Sequence, residues 1–255
     1  MVRSKELYYS FVDKMKTAVV DDLIIPRDGI SNFAISGYLS SLIELSEAIV
    51  LLSKNEMLGT AQALTRRLTE VCVHLVVVLK EGDSYLERLQ INACEEDRGK
   101  RQFVLDHMEN TEEDEKILRT IIREQKKEIR RLHDKHGLAI KGRKKNWAPK
   151  KIPIRESFNR ADFFHNYIAY KILCDRSHSN LFSTFSDHLS QGLDGYAEWQ
   201  KPLPQNEQRI TLAAASEFSM EAIGAAFTYY DITSEKCDDL LASYNELKEY
   251  LVHLT

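Results

Sequence analysis

Turn-formers are scarce in this sequence: 255 residues carry ten glycines and five prolines. So little punctuation argues against a fold of many short strands and points to long helices. Cysteine is scarce too. Cys72, Cys94, Cys174 and Cys237 stand far apart and form no C-x-x-C pair, so no zinc or dithiol redox motif is suggested. Reduced, widely spaced cysteines are expected in the cytoplasm. Long hydrophobic runs are lacking; the longest, Val71 to Leu79, is interrupted by His74 and has about half the length of a bilayer span. No membrane partner is therefore expected. The first residues, MVRSKELYYSFVDKMK, lack the apolar core of a signal peptide and read as an amphipathic helix. Neither sign of charge dominates: the net charge of −4 gives no global nucleic-acid footprint. A glycine-rich phosphate loop and a His–Glu–x–x–His pair are both missing, so neither metal nor cofactor is expected.

What the sequence does contain is helical periodicity. Leu7, Phe11, Met15 and Val19 predict a first helix ending before Pro26. Ser31 or Asn32 is expected to cap a second, with Ile35, Leu39, Leu42, Leu45, Ile49 and Leu52 on its apolar face. A third is expected from near Asn55 to Gly82, and a fourth from Ser84 to about Met108 behind an Asp83 cap. Thr111 with Asp114 reads as a capping box for a fifth, stopped by Gly137. That helix is charged on most sides and offers one narrow apolar stripe. The fourth and fifth are expected to form a hairpin, 83–136, projecting from the core. Residues 137–155 form a basic loop. Helical patterning resumes at 156–190, and two last helices are expected at about 207–231 and 234–254. The fold class expected is all-α: a single bundle of eight to nine helices spanning 1–255.

Polar insertions on two oily helices supply the candidate site. In ALTRRLTEVCVHLVVVLKEG, residues 63–82, Arg67, Glu70 and His74 fall within a wedge of about 60°. Charges in so apolar a place must be paired. They form either an intrahelical Arg–Glu pair beside a core histidine, or a polar pocket inside the bundle. If Arg67 is buried against Glu70, Arg67→Ala is expected to cost roughly 3–5 kcal/mol. In YIAYKILCDRSHSN, residues 167–180, Tyr170, Cys174 and His178 follow at four-residue steps on one face.

Together, ALTRRLTE, the tryptophan in KKNWAP and YKILCDRSH resemble a bacterial family, the domain of unknown function 5677, over about residues 30–190. The resemblance implies an all-helical protein and selects Arg67, Glu70, Trp147, Tyr170 and His178. Cys174 and Asp175 stand where a serine is expected, and no proline follows His178. In layout the family resembles helical ribonuclease domains of the HEPN type, which pair an arginine with a histidine a few residues on. Arg131 with His136, and Arg160 with His165, have that spacing. With 16 arginines and 8 histidines in 255 residues, chance supplies about 0.5 matches at any one spacing.

Two function classes stay open. One is a metal-independent ribonuclease of the toxin or anti-phage defence kind. His178 or His165 would shuttle the proton, Arg67 or Arg160 would stabilise the phosphate charge, Glu70 would orient the arginine and Tyr170 would donate a hydrogen bond. RNA would be the partner. Lys141, Arg143, Lys144, Lys145, Lys150 and Lys151 around Trp147 would hold its backbone and stack a base, unless they are only a solvated loop. The other class is a non-catalytic binding or regulatory module whose pocket takes an anion, or a purely structural Arg–Glu–His network. Its C-terminal helices would then mediate homo-oligomerisation.

Overall fold

The computed structural model describes residues 2–136, 152–177, 189–191, 197–199 and 205–252. Among them are nine α-helices: α1 (Val2–Asp22), α2 (Ile30–Lys54), α3 (Leu58–Glu81), α4 (Asp83–His107), α5 (Glu112–Lys135), α6 (Ile154–Ala161), α7 (Tyr167–Ser177), α8 (Gln205–Tyr229) and α9 (Glu235–Val252). A 3₁₀ turn, Phe164–Asn166, leads into α7. One short antiparallel pair, β1 (Leu189–Gln191) and β2 (Ala197–Trp199), sets Leu189 opposite Trp199. The fold is all-α. The β pair falls where no strand is expected, because three residues per strand are too few to show alternation.

The helix boundaries depart from expectation for identifiable local reasons. Gly29, at φ +83°, caps α2, and the amide of Asn32 donates to the Asp28 carbonyl at 2.8 Å instead of capping. Only glycine takes that backbone region without strain. The Asn55 amide donates to the Leu51 carbonyl at 2.8 Å and closes α2, so α3 begins at Leu58. The expected continuous helix from 156 breaks at Asp162, at φ +66°, where the Phe163 N–H reaches back to the Phe158 carbonyl at 2.9 Å. Thr111 does cap α5: its hydroxyl accepts from the Asp114 N–H at 3.1 Å, and the Asp114 carboxylate accepts from the Thr111 N–H at 3.3 Å.

The chain divides into two compact units, residues 1–80 with 157–255, and residues 81–156. In the first, α3 is apolar on nearly every side from Val71 to Leu79; Leu68, Val71, Cys72, Val73, Leu75, Val76, Val77 and Val78 are all buried. A helix buried all round is a core helix. Its threonines fit because each satisfies itself: the Thr65 and Thr69 hydroxyls donate to the Ala61 and Thr65 carbonyls, both at 2.9 Å. Helix α9 packs on α1, with Phe11 and Tyr244 rings 6.1 Å apart and Leu240, Leu247 and Leu251 buried. Phe158, Phe163 and Phe218 form an edge-to-face cluster joining α6 to α8. Helix α2 is long and apolar enough by composition to cross a membrane; a third of that window is buried, with Ile35, Leu39, Leu42 and Ile49 among its buried residues. In the second unit α4 and α5 form a hairpin around Ile91, Ile129 and Leu132. Arg88 pairs with Glu156 at 3.0 Å and Asn92 accepts from the Ile152 N–H at 3.1 Å, which ties the returning chain to α4.

Candidate functional site

The polar residues of α3 meet α7 at Glu70. Four residues separate Arg66 from Glu70 and three separate Arg67 from it, so one turn of helix puts both guanidiniums beside one carboxylate. Arg66 reaches Glu70 Oε1 at 3.2 Å, and Arg67 reaches Oε2 at 3.2 Å. From α7 the Tyr170 hydroxyl donates to Oε1 at 2.9 Å. The Arg66 guanidinium lies 5.9 Å from the centre of the Tyr170 ring, within cation–π range. Side-chain exposure sorts the three charges: Glu70 keeps 16%, Arg66 28% and Arg67 64%. Arg67 is therefore a surface residue held at its tip, not a buried one, which removes the ground for a large Arg67→Ala cost.

The electrostatics follow from that geometry. Burial opposes the Arg66 charge, but Tyr170, Cys174 and Glu70 together outweigh it and raise the Arg66 pKa. Burial, with the hydrogen bonds to Cys174 and Glu70, drives the Tyr170 phenol well above its ordinary range, against the opposite pull of Arg66. Tyr170 is therefore a hydrogen-bond donor at neutral pH. His74, one turn past Glu70, is stacked on Tyr38 of α2 with centroids 6.1 Å apart. Burial pushes its imidazole down to about 4; Glu70 pulls the other way and Arg67 adds to the fall. At neutral pH the cluster thus holds two positive charges and one negative, with a neutral histidine beside them.

The other expected residues lie elsewhere. Arg160 sits half-buried in the last turn of α6, and His165 is exposed in the 3₁₀ turn. His165 lines a separate cleft of about 290 Å³ with Lys80, Asp162, Asn166 and Glu221. Lys80 donates to Asp162 at 2.6 Å and to the Ala161 carbonyl at 3.1 Å. It lies ten residues beyond Glu70 on α3, about 15 Å along the axis, so His165 is not part of the Glu70 cluster. Arg131 and His136 of the hairpin are held by different carboxylates, Glu128 at 2.7 Å and Glu87 at 2.9 Å. His178 and the loop residues Lys141, Arg143, Lys144, Lys145, Trp147, Lys150 and Lys151 lie outside the described residues. Among the described residues no group of three or more His, Cys, Asp or Glu side chains could hold a metal ion.

Sequence reasoning missed Arg66 and Tyr38. The signal for Arg66 was present, since four-residue spacing to Glu70 allows a helical ion pair just as the three-residue spacing of Arg67 does. Tyr38 sits on a different helix and carries no pattern that links it to His74.

These features define an all-helical domain that presents a carboxylate-held arginine pair at the junction of two helices. The chain belongs to the Family of unknown function (DUF5677), which matches residues 32–196. The match runs from α2 to just short of β2 and takes in every residue of the Glu70 cluster. Helices α1, α8 and α9 fall outside it. No curated protein and no solved structure matches the chain.

Proposed function

We propose that this domain is a binding or regulatory module that takes a phosphate-bearing anion at Arg66, Arg67, Glu70 and Tyr170. One observation carries the reading: a single carboxylate holds two guanidiniums, leaving one net positive charge where Arg67 is 64% exposed. Glu70 tethers one nitrogen of each guanidinium in advance, which lowers the ordering cost of gripping a second anion. Guanidinium forks match phosphate oxygens, whereas a lysine would offer only a point charge. The site is expected to act in the cytoplasm. Isothermal titration with AMP tests this. Arg67→Ala should weaken binding about tenfold or more, in line with loss of one charge-assisted hydrogen bond pair. Lys80→Ala, in the separate cleft, should leave binding as it was. Equal binding by wild type and Arg67→Ala would refute the assignment.

A second reading has its own support. Helix α7 carries Tyr170 to the Glu70 cluster and runs to Ser177, the residue before His178. In this reading the domain is a metal-independent ribonuclease of the HEPN type, of use in bacterial toxin or anti-phage systems. His178 would move the proton of a ribose 2′-hydroxyl, and Arg67, oriented by Glu70, would stabilise the pentavalent phosphate. The loop at 141–151 would hold the RNA backbone. His178→Gln should then abolish RNA cleavage at unchanged stability, with His165→Gln as the competing variant. If both cut RNA as wild type does, this reading fails and the binding module stands.

A further inference from the structure

Helix α5 uses one side to pack on α4, burying Ile122, Ile129, Leu132 and His133. A second stripe lies more than 90° around the helix and contains Glu113, Ile117, Thr120, Ile121, Glu124, Glu128 and Arg131, all within about 100°. Ile117 is 51% exposed and Ile121 only half-buried. With Glu112, Glu113, Lys116 and Thr120 they line an open groove of about 630 Å³. Ile117 thus faces outward on a highly charged helix, with the half-buried Ile121 at the edge of the same stripe.

We propose that this stripe pairs with the same stripe of a second copy of the chain, the two α5 helices running antiparallel. Charge complementarity selects that occupant. The first turn of α5 is acidic, with Glu112, Glu113, Asp114 and Glu115, and its last turns carry Lys126, Lys127, Arg130, Arg131 and Lys135. With a two-fold axis at residue 122, one register brings Glu113 opposite Arg131 of the second copy. The same register sets Lys116 opposite Glu128 and Thr120 opposite Glu124, with Ile121 of both copies at the centre and Ile117 about 7.5 Å to either side. A parallel pairing would put acid on acid. A two-fold interface of this kind closes on itself, so it gives dimers and not chains. The helix dipole alone also favours acids first and bases last, but it places no isoleucines in the groove. The intrahelical pairs that occupy these charges, such as Arg131 with Glu128 at 2.7 Å, are exposed and easily re-formed across an interface. By contrast α9 packs its leucine face within its own unit.

One helix pair of this length buries less than about 1,200 Å², the range of transient complexes. Sedimentation equilibrium of the full chain should therefore show dimers at about 100 µM that dissociate near about 1 µM. Glu113→Arg should weaken the dimer about tenfold or more, and so should Arg131→Glu. Mixing the two single variants should restore dimers, because the two reversed charges then meet each other on one side of the axis and the native pair meets on the other. Ile117→Asp should abolish association, and circular dichroism should show every variant still helical. A wild-type chain that stays monomeric at about 100 µM would overturn the proposal and give the groove to a different partner. Failure of the mixture to recover would overturn it as well.

Discussion

Lowering the pH from 7.5 to 5 should cost this protein about 2 kcal/mol through His74 alone. In the unfolded chain a histidine titrates near its ordinary value of 6.5, whereas in the fold burial holds His74 down to about 4. Between those values the unfolded state binds a proton that the native state refuses. Stability is therefore complete above about 6.5, falls as the pH drops through the window, and has lost its full share below about 4. Each unit of that gap is worth about 1.4 kcal/mol, so the whole window is worth about 3 kcal/mol and pH 5 reaches roughly two-thirds of it. Carboxylates titrating near the lower end also contribute, so the quantity to measure is a difference. Urea unfolding of wild type and His74→Gln at pH 7.5, 6 and 5 isolates it, because glutamine is neutral throughout. The wild type should lose about 2 kcal/mol more than the variant between the end points. Parallel curves would refute the reasoning: they would mean that His74 is solvated enough to take up a proton without penalty.

Other outcomes follow from the same contacts. Glu70→Gln leaves two guanidiniums facing each other without a counter-charge and should lower stability by about 2–3 kcal/mol, read by thermal melting. Arg67→Ala, at an exposed side chain, should cost less than about 1 kcal/mol, which makes it a usable probe of binding. Thr111→Ala removes the capping box of α5 and should cost about 1 kcal/mol without changing the oligomeric state.

The helices were legible because the apolar spacing that builds them is local. Thr111 and Asp114 announced the start of α5, and the apolar run Val71–Leu79, interrupted only by His74, marked α3 as an oily helix. The ends were harder. Gly29 and Asn55 set the starts of α2 and α3 through a left-handed backbone and a backward side-chain hydrogen bond, and neither competes visibly with Ser31 or Asn32 in a one-dimensional reading. Glu70 with Arg67 was legible as a helical pair, but the exposure of Arg67 was not. Exposure depends on what the neighbouring helices cover. The convergence of Tyr170 on Glu70 spans a hundred residues and rests on packing, so only the family resemblance pointed to it. The stacking of His74 on Tyr38 had no sequence signal.

The guanidinium resonances of Arg66 and Arg67 offer the most direct test of the phosphate site. Nitrogen-15 spectra of the full chain, recorded while inorganic phosphate is added, report each Nε–H separately. If Glu70 pre-orients both groups for an anion, the two signals should move together along one saturating curve, and Glu70→Gln should change its midpoint. In Arg67→Ala the Arg66 shift should shrink and fail to saturate over the same range. Two signals that drift only linearly with phosphate, as surface arginines do, would contradict the account and leave the Glu70 cluster as a purely structural network.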